Sequence, residues 1–147
     1  MYTIALMLHV LGATVWTGGH LVLSFCILPV ALRERSPTYI RTFEQRFEKI
    51  GILALVIQIG TGLYMAFQLQ PDFSQWFGFG NLVSQTLTLK LSFLAATALL
   101  AVDARLRIIP NLTEHNLTSL AWHVIPVTVI SVLFVLVGVS FRTGGFA

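Results

Sequence analysis

Histidine is the side chain best suited to carry protons or bind a metal near neutral pH, so the chain is read first from its histidines. His9 and His20 lie eleven residues apart in an apolar run from Ile4 to Leu32 that Arg33 ends. On a helix, eleven steps of about 100° overshoot three turns by about 20°, so the two rings share a face about 16 Å apart. Ala13 and Trp16 lie between them on that stripe, with Gly12 and Gly19 on its flank. Small residues of this kind let another helix, or something bulky, approach closely. A third histidine, His123, opens another apolar run three residues before Pro126. Lys90 and Met65 are the remaining groups with chemistry inside apolar sequence, whereas His115 lies in a polar loop and reads as solvated.

The elements that position these groups follow from composition. Of 147 residues 56% are hydrophobic and 10% charged, against about 25% charged in soluble domains. Between Gly51 and Leu89 the only charge is Asp72, and between Leu117 and Phe141 there is none. Four apolar segments, near 3–32, 49–68, 83–102 and 119–141, are each long enough to cross a hydrocarbon layer of about 30 Å. The expected fold is all-α: one transmembrane domain over residues 1–147, a four-helix bundle. The polar stretch Arg33–Lys49, with Phe43 and Phe47 four apart, is expected to extend the second helix beyond the membrane. Met1–Thr3 lack Lys and Arg, and the first run is longer than a signal-peptide core, so it is expected to stay as a helix.

Orientation is read from cations. Arg33, Arg35, Arg41, Arg46 and Lys49 precede the second span, and Arg105 and Arg107 follow the third. Positive loops remain cytoplasmic, so both termini are expected outside, in a multi-pass protein of the bacterial cytoplasmic membrane. Two N-x-T triplets in "NLTEHNLT" (Asn111–Thr118) then fall inside, where a bacterium would not read them. The net charge of +3 suits anionic lipid headgroups and not nucleic acid. Cys26 is alone, so a disulfide or thiolate site is excluded.

Intramembrane ionisable groups usually face a bundle interior. With spans one and four antiparallel, His20 and His123 each fall about four residues from the inner boundary. They could face each other as axial ligands of a haem held between helices, with Trp16, Gly12 and Gly19 beside it. Arg105 and Arg107 would then lie near its propionates, although Arg107 also has the i,i+4 spacing to pair with Asp103. His9, near the outer surface, could hold a second haem with Met65, since methionine can be an axial ligand. Lys90 either snorkels to the headgroups or faces the bundle to hold a carboxylate.

The stretch "LHVLGATVWTGGHLVLSFCILPVAL" resembles the first helix of the CopD-type copper-resistance membrane family. "RFEKIGILALVIQIGTGLY" resembles that family's second helix, and "LKLSFLAATALLAVDARLRIIPNL" its lysine-led third helix. The HemJ-type protoporphyrinogen oxidases look related, and their N-E-x-P motif becomes "HVIP" here, His123 to Pro126. The resemblance implies that His9, Trp16, Gly18, Gly19 and Lys90 occupy family positions. In HemJ-type enzymes the histidine is implicated in binding haem b and the lysine is functionally important. His20 is outside either pattern, and His123 and Val124 depart from it.

The expectation is a redox protein of histidine-ligated haem b, one or two per chain, with metal ligands among His20, His123, His9 and Met65. Its electron partner would be a quinone or another redox protein, and it could form a homo-oligomer. The alternatives are a HemJ-like oxidase, an oxidoreductase with Lys90 as a catalytic group, and a copper transport or resistance component. The chain lacks a Met-rich or His-rich external segment that would collect copper.

Overall fold

The computed structural model describes residues 1–144. Four helices are long and apolar enough to cross a membrane: α1 (Tyr2–Arg33), α2 (Thr38–Leu69), α3 (Leu82–Ile108) and α4 (Leu117–Thr143). No strand occurs among the described residues. The molecule is a multi-pass, all-helical membrane protein. Four spans bring both termini and the α2–α3 loop to one end, the terminal end. The α1–α2 and α3–α4 connections form the other end, which carries seven of the nine Lys and Arg residues.

The helices run longer than their apolar cores. α2 begins at Thr38 and not at Lys49, so the polar stretch is helical, as its spacing suggests. At 1.5 Å per residue its 32 residues reach about 48 Å, well beyond a hydrocarbon layer of about 30 Å. Its polar extension is fixed at the basic end. Arg41 Nη2 donates to the Leu112 carbonyl (2.7 Å), and Arg105 of α3 bridges Glu44 (2.5 Å) and Glu48.

Two of the helices contain a π turn, Leu23–Ile27 in α1 and Ala104–Ile108 in α3. Each lies just ahead of a proline, Pro29 and Pro110, whose ring cannot donate and crowds the carbonyl four residues back. α1 closes with a double-bonded cap, Ser36 N–H to Ala31 O (3.0 Å) and Arg35 N–H to Leu32 O (3.4 Å). This cap requires a left-handed residue, and here it is Arg35 at φ 50°, where glycine is usual.

α1 packs along α2 and α4, and α3 packs on α4. The apolar core gathers at the basic end around Leu28, Ala31, Ile40, Ile108, Leu112, Leu117 and Leu120. Elsewhere the seams use small and polar residues, as expected where lipid removes the hydrophobic drive for helix association. Ser24 and Thr128 hydroxyls are 2.5 Å apart, Thr128 Oγ1 lies 3.2 Å from the His20 carbonyl while donating to Val124 O (2.8 Å), and Thr17 donates to Ser131 O (3.4 Å). These bonds close the α1–α4 seam.

At the terminal end the α2–α3 loop folds onto its own aromatic residue. Trp76 is 1% exposed, donates to Gln70 O (2.8 Å) and packs between Phe67 and Phe73. Asp72 accepts from the Ser74 hydroxyl and amide, which hold its carboxyl below the usual carboxylate range.

Candidate functional site

The intramembrane histidines are held in three different ways. His9 Nδ1 lies 3.0 Å from both the Gln58 carbonyl and the Thr61 hydroxyl of α2. Thr61 is itself donating to Ile57 O (2.6 Å), so the His9 ring can serve as donor to Gln58. The bare Gly62 backbone makes room for it, since a Cβ there would lie 3.1 Å from His9 Cε1. His20 Nδ1 donates to Trp16 O (2.9 Å), one turn back, and its ring tilts against the Trp16 indole at 4.4 Å between centroids. In both residues Nε2 has no hydrogen-bond partner among the described residues. Anchoring one ring nitrogen on a carbonyl so that the other is oriented is how metal-ligating imidazoles are commonly held.

His123 differs. Its Nδ1 donates to Ser119 O (2.8 Å) and its Nε2 lies 2.7 Å from Asp103 Oδ2 on α3. Both ring nitrogens face acceptors, so axial ligation by His123 would require breaking the Asp103 contact. Beside it is a pocket of about 380 Å³ lined by Arg107, Ile108, Asn116, Ser119, Trp122 and His123, and none of the other intramembrane histidines borders it.

The small residues expected to flank a cofactor serve helix packing instead. A Cβ on Gly12 would sit 3.0 Å from Ala54 O, and one on Gly19 would fall 2.0 Å from Phe47 Cζ. The Phe47 ring of α2 therefore fills the space that the sequence suggests for a planar ligand. The expected propionate partners are also engaged: Arg105 with Glu44 and Glu48, and Arg107 with Asp103 (2.7 Å). Met65 is buried in the same helix face as Gln58 and Gly62, among packing residues.

Lys90 points into the bundle. Its Nζ lies 3.6 Å from where a Gly138 Cβ would be, which sets the ammonium beside the α4 backbone. Among the described residues no three His, Cys, Asp or Glu side chains converge on a common centre.

Comparison with known families matches residues 41–141 to copper resistance protein D (CopD). The chain belongs to the CopD family. No curated protein and no solved structure matches it. The match covers α2, α3 and nearly all of α4, including Met65, Lys90, Asp103 and His123. It begins after α1, so His9, Trp16 and His20 lie outside the matched part of this CopD family member. No spacing in the sequence signals the burial of Trp76 in the α2–α3 loop, or the approach of the Arg142 guanidinium to within 6.0 Å of the Tyr2 ring centroid.

Proposed function

We propose that this protein is a membrane component of copper resistance, with copper as its cargo. The observation that carries the reading is the family match over most of the chain. The geometry adds which donors could meet a copper ion. Imidazole is a good copper ligand, and His20 has its Nδ1 anchored on Trp16 O, which orients its Nε2. Among the described residues no group of three His, Cys, Asp or Glu side chains converges, so a copper ion at His20 would be held weakly and exchange readily. Weak holding suits passage better than storage.

The test is copper accumulation by cells expressing the protein and by proteoliposomes, compared with His20→Ala. Accumulation and tolerance unaffected by the protein would overturn the reading. A change that survives His20→Ala would keep copper and remove His20.

A second reading is a redox protein carrying haem b, exchanging electrons with a quinone or another redox protein. It is favoured by the free Nε2 atoms of His9 and His20, each with its Nδ1 anchored. The residues present fit single-histidine ligation. They do not fit a haem bridging His20 and His123 while Asp103 holds His123 and Ser24–Thr128 closes the seam. Bound haem would supply one-electron chemistry, and this chain's own residues would orient the imidazole and exclude water. A Soret band in the detergent-purified protein, lost in His9→Ala or His20→Ala, supports this reading, and a colourless full-length protein removes it.

A further inference from the structure

We propose that Lys90 and Arg142 form a binding site for an oxyanion at the terminal end of the bundle. Lys90 Nζ lies against Gly138 of α4, and Arg142 is one turn further along the same helix face. The two positions are separated by about 6 Å along the axis, Arg142 at the rim and Lys90 deeper. Arg142 lies with its guanidinium carbon 6.0 Å from the Tyr2 ring centroid, so α1 closes one side.

What makes this cluster unusual is that it lacks a counter-charge. Neither Lys90 nor Arg142 has a carboxylate within ion-pair distance among the described residues. Five of the six acidic residues belong to the basic end. The sixth, Asp72, already accepts from Ser74 and Gln75 in its own turn. A charge held within a bilayer is costly, and such residues generally pair with something. Among the described residues no carboxylate meets Lys90 or Arg142, so both cations are open to an anion. Two cations about one helical turn apart fit a phosphate or carboxylate, whose several oxygens can accept from both. The shared chemistry is that of an oxyanion, and its source is a lipid phosphate or a soluble anion.

The full-length protein is reconstituted in phosphatidylcholine nanodiscs with and without phosphatidylglycerol, and separately titrated with inorganic phosphate in neutral detergent. Thermal unfolding and lipid retention in native mass spectrometry are the readouts. At least one probe should stabilise the wild type and Lys90→Arg, and should bind Lys90→Met and Arg142→Gln about tenfold more weakly or worse. An effect confined to phosphatidylglycerol assigns a lipid, and one seen with inorganic phosphate assigns a soluble anion. Lipid attraction to the basic loops alone would persist in Lys90→Met, so the two substitutions separate it from the site. The proposal is overturned if neither probe stabilises the wild type, or if both substitutions leave the stabilisation intact. Should Lys90→Met not fold, Arg142→Gln at the rim carries the test.

Discussion

His123 Nε2 and Asp103 Oδ2, 2.7 Å apart, tie α4 to α3 at the basic end. Asp103 also receives Arg107, and His123 is anchored by Ser119, so the contact joins two helices through four side-chain or backbone groups. Asp103→Ala would strand a half-buried imidazole nitrogen without an acceptor. The expected cost is about 1–3 kcal/mol, read as a lower unfolding temperature in detergent. If Asp103→Ala unfolds like the wild type, the contact contributes nothing to holding α3 on α4.

Gly19 and Phe47 make a second test of packing. A Cβ at position 19 would meet the ring at 2.0 Å, which no small adjustment relieves. Gly19→Ala should therefore destabilise by about 1–3 kcal/mol, as overpacked sites do. Phe47→Leu in the same chain should recover part of the loss, because it removes the atoms in collision. Additive effects of the two substitutions would show that the ring does not rest on Gly19.

The cap of α1 offers the opposite sign. Arg35 takes φ 50°, a conformation costing a non-glycine residue about 1 kcal/mol. Arg35→Gly should raise the unfolding temperature by a few degrees. Arg35→Ala loses the same charge and keeps the strain, so it should not reproduce the gain.

Topology is the fourth property open to direct measurement. Seven of nine cations lie at the end opposite the termini, so both termini should be outside the cytoplasm. A C-terminal phosphatase fusion should then be active and a C-terminal fluorescent-protein fusion dark. The reverse pattern would put Lys90 and Arg142 on the cytoplasmic side and change which leaflet could supply a lipid to them.

How much was legible before the fold was known depends on the physical signal. Four spans, their order and the clustering of charge at one end follow from the sequence alone, because apolar run length and charge distribution are one-dimensional properties. So does the shared face of His9 and His20, since the spacing of a helix sets angles within it. The helical extension of α2 was legible from Phe43 and Phe47. What no spacing could provide is which helix each face meets. Gly12 and Gly19 announce close approach without saying whether a ligand or a neighbour approaches, and only packing placed Ala54 and Phe47 there. A depth match between His20 and His123 constrains one coordinate, and leaves rotation about each helix axis free. Tertiary structure set that rotation, turning His123 to Asp103, Arg105 to Glu44 and Glu48, and Lys90 to Gly138. The reason is that a side chain's partner depends on azimuth and neighbour, and these are decided by the joint packing of all four helices.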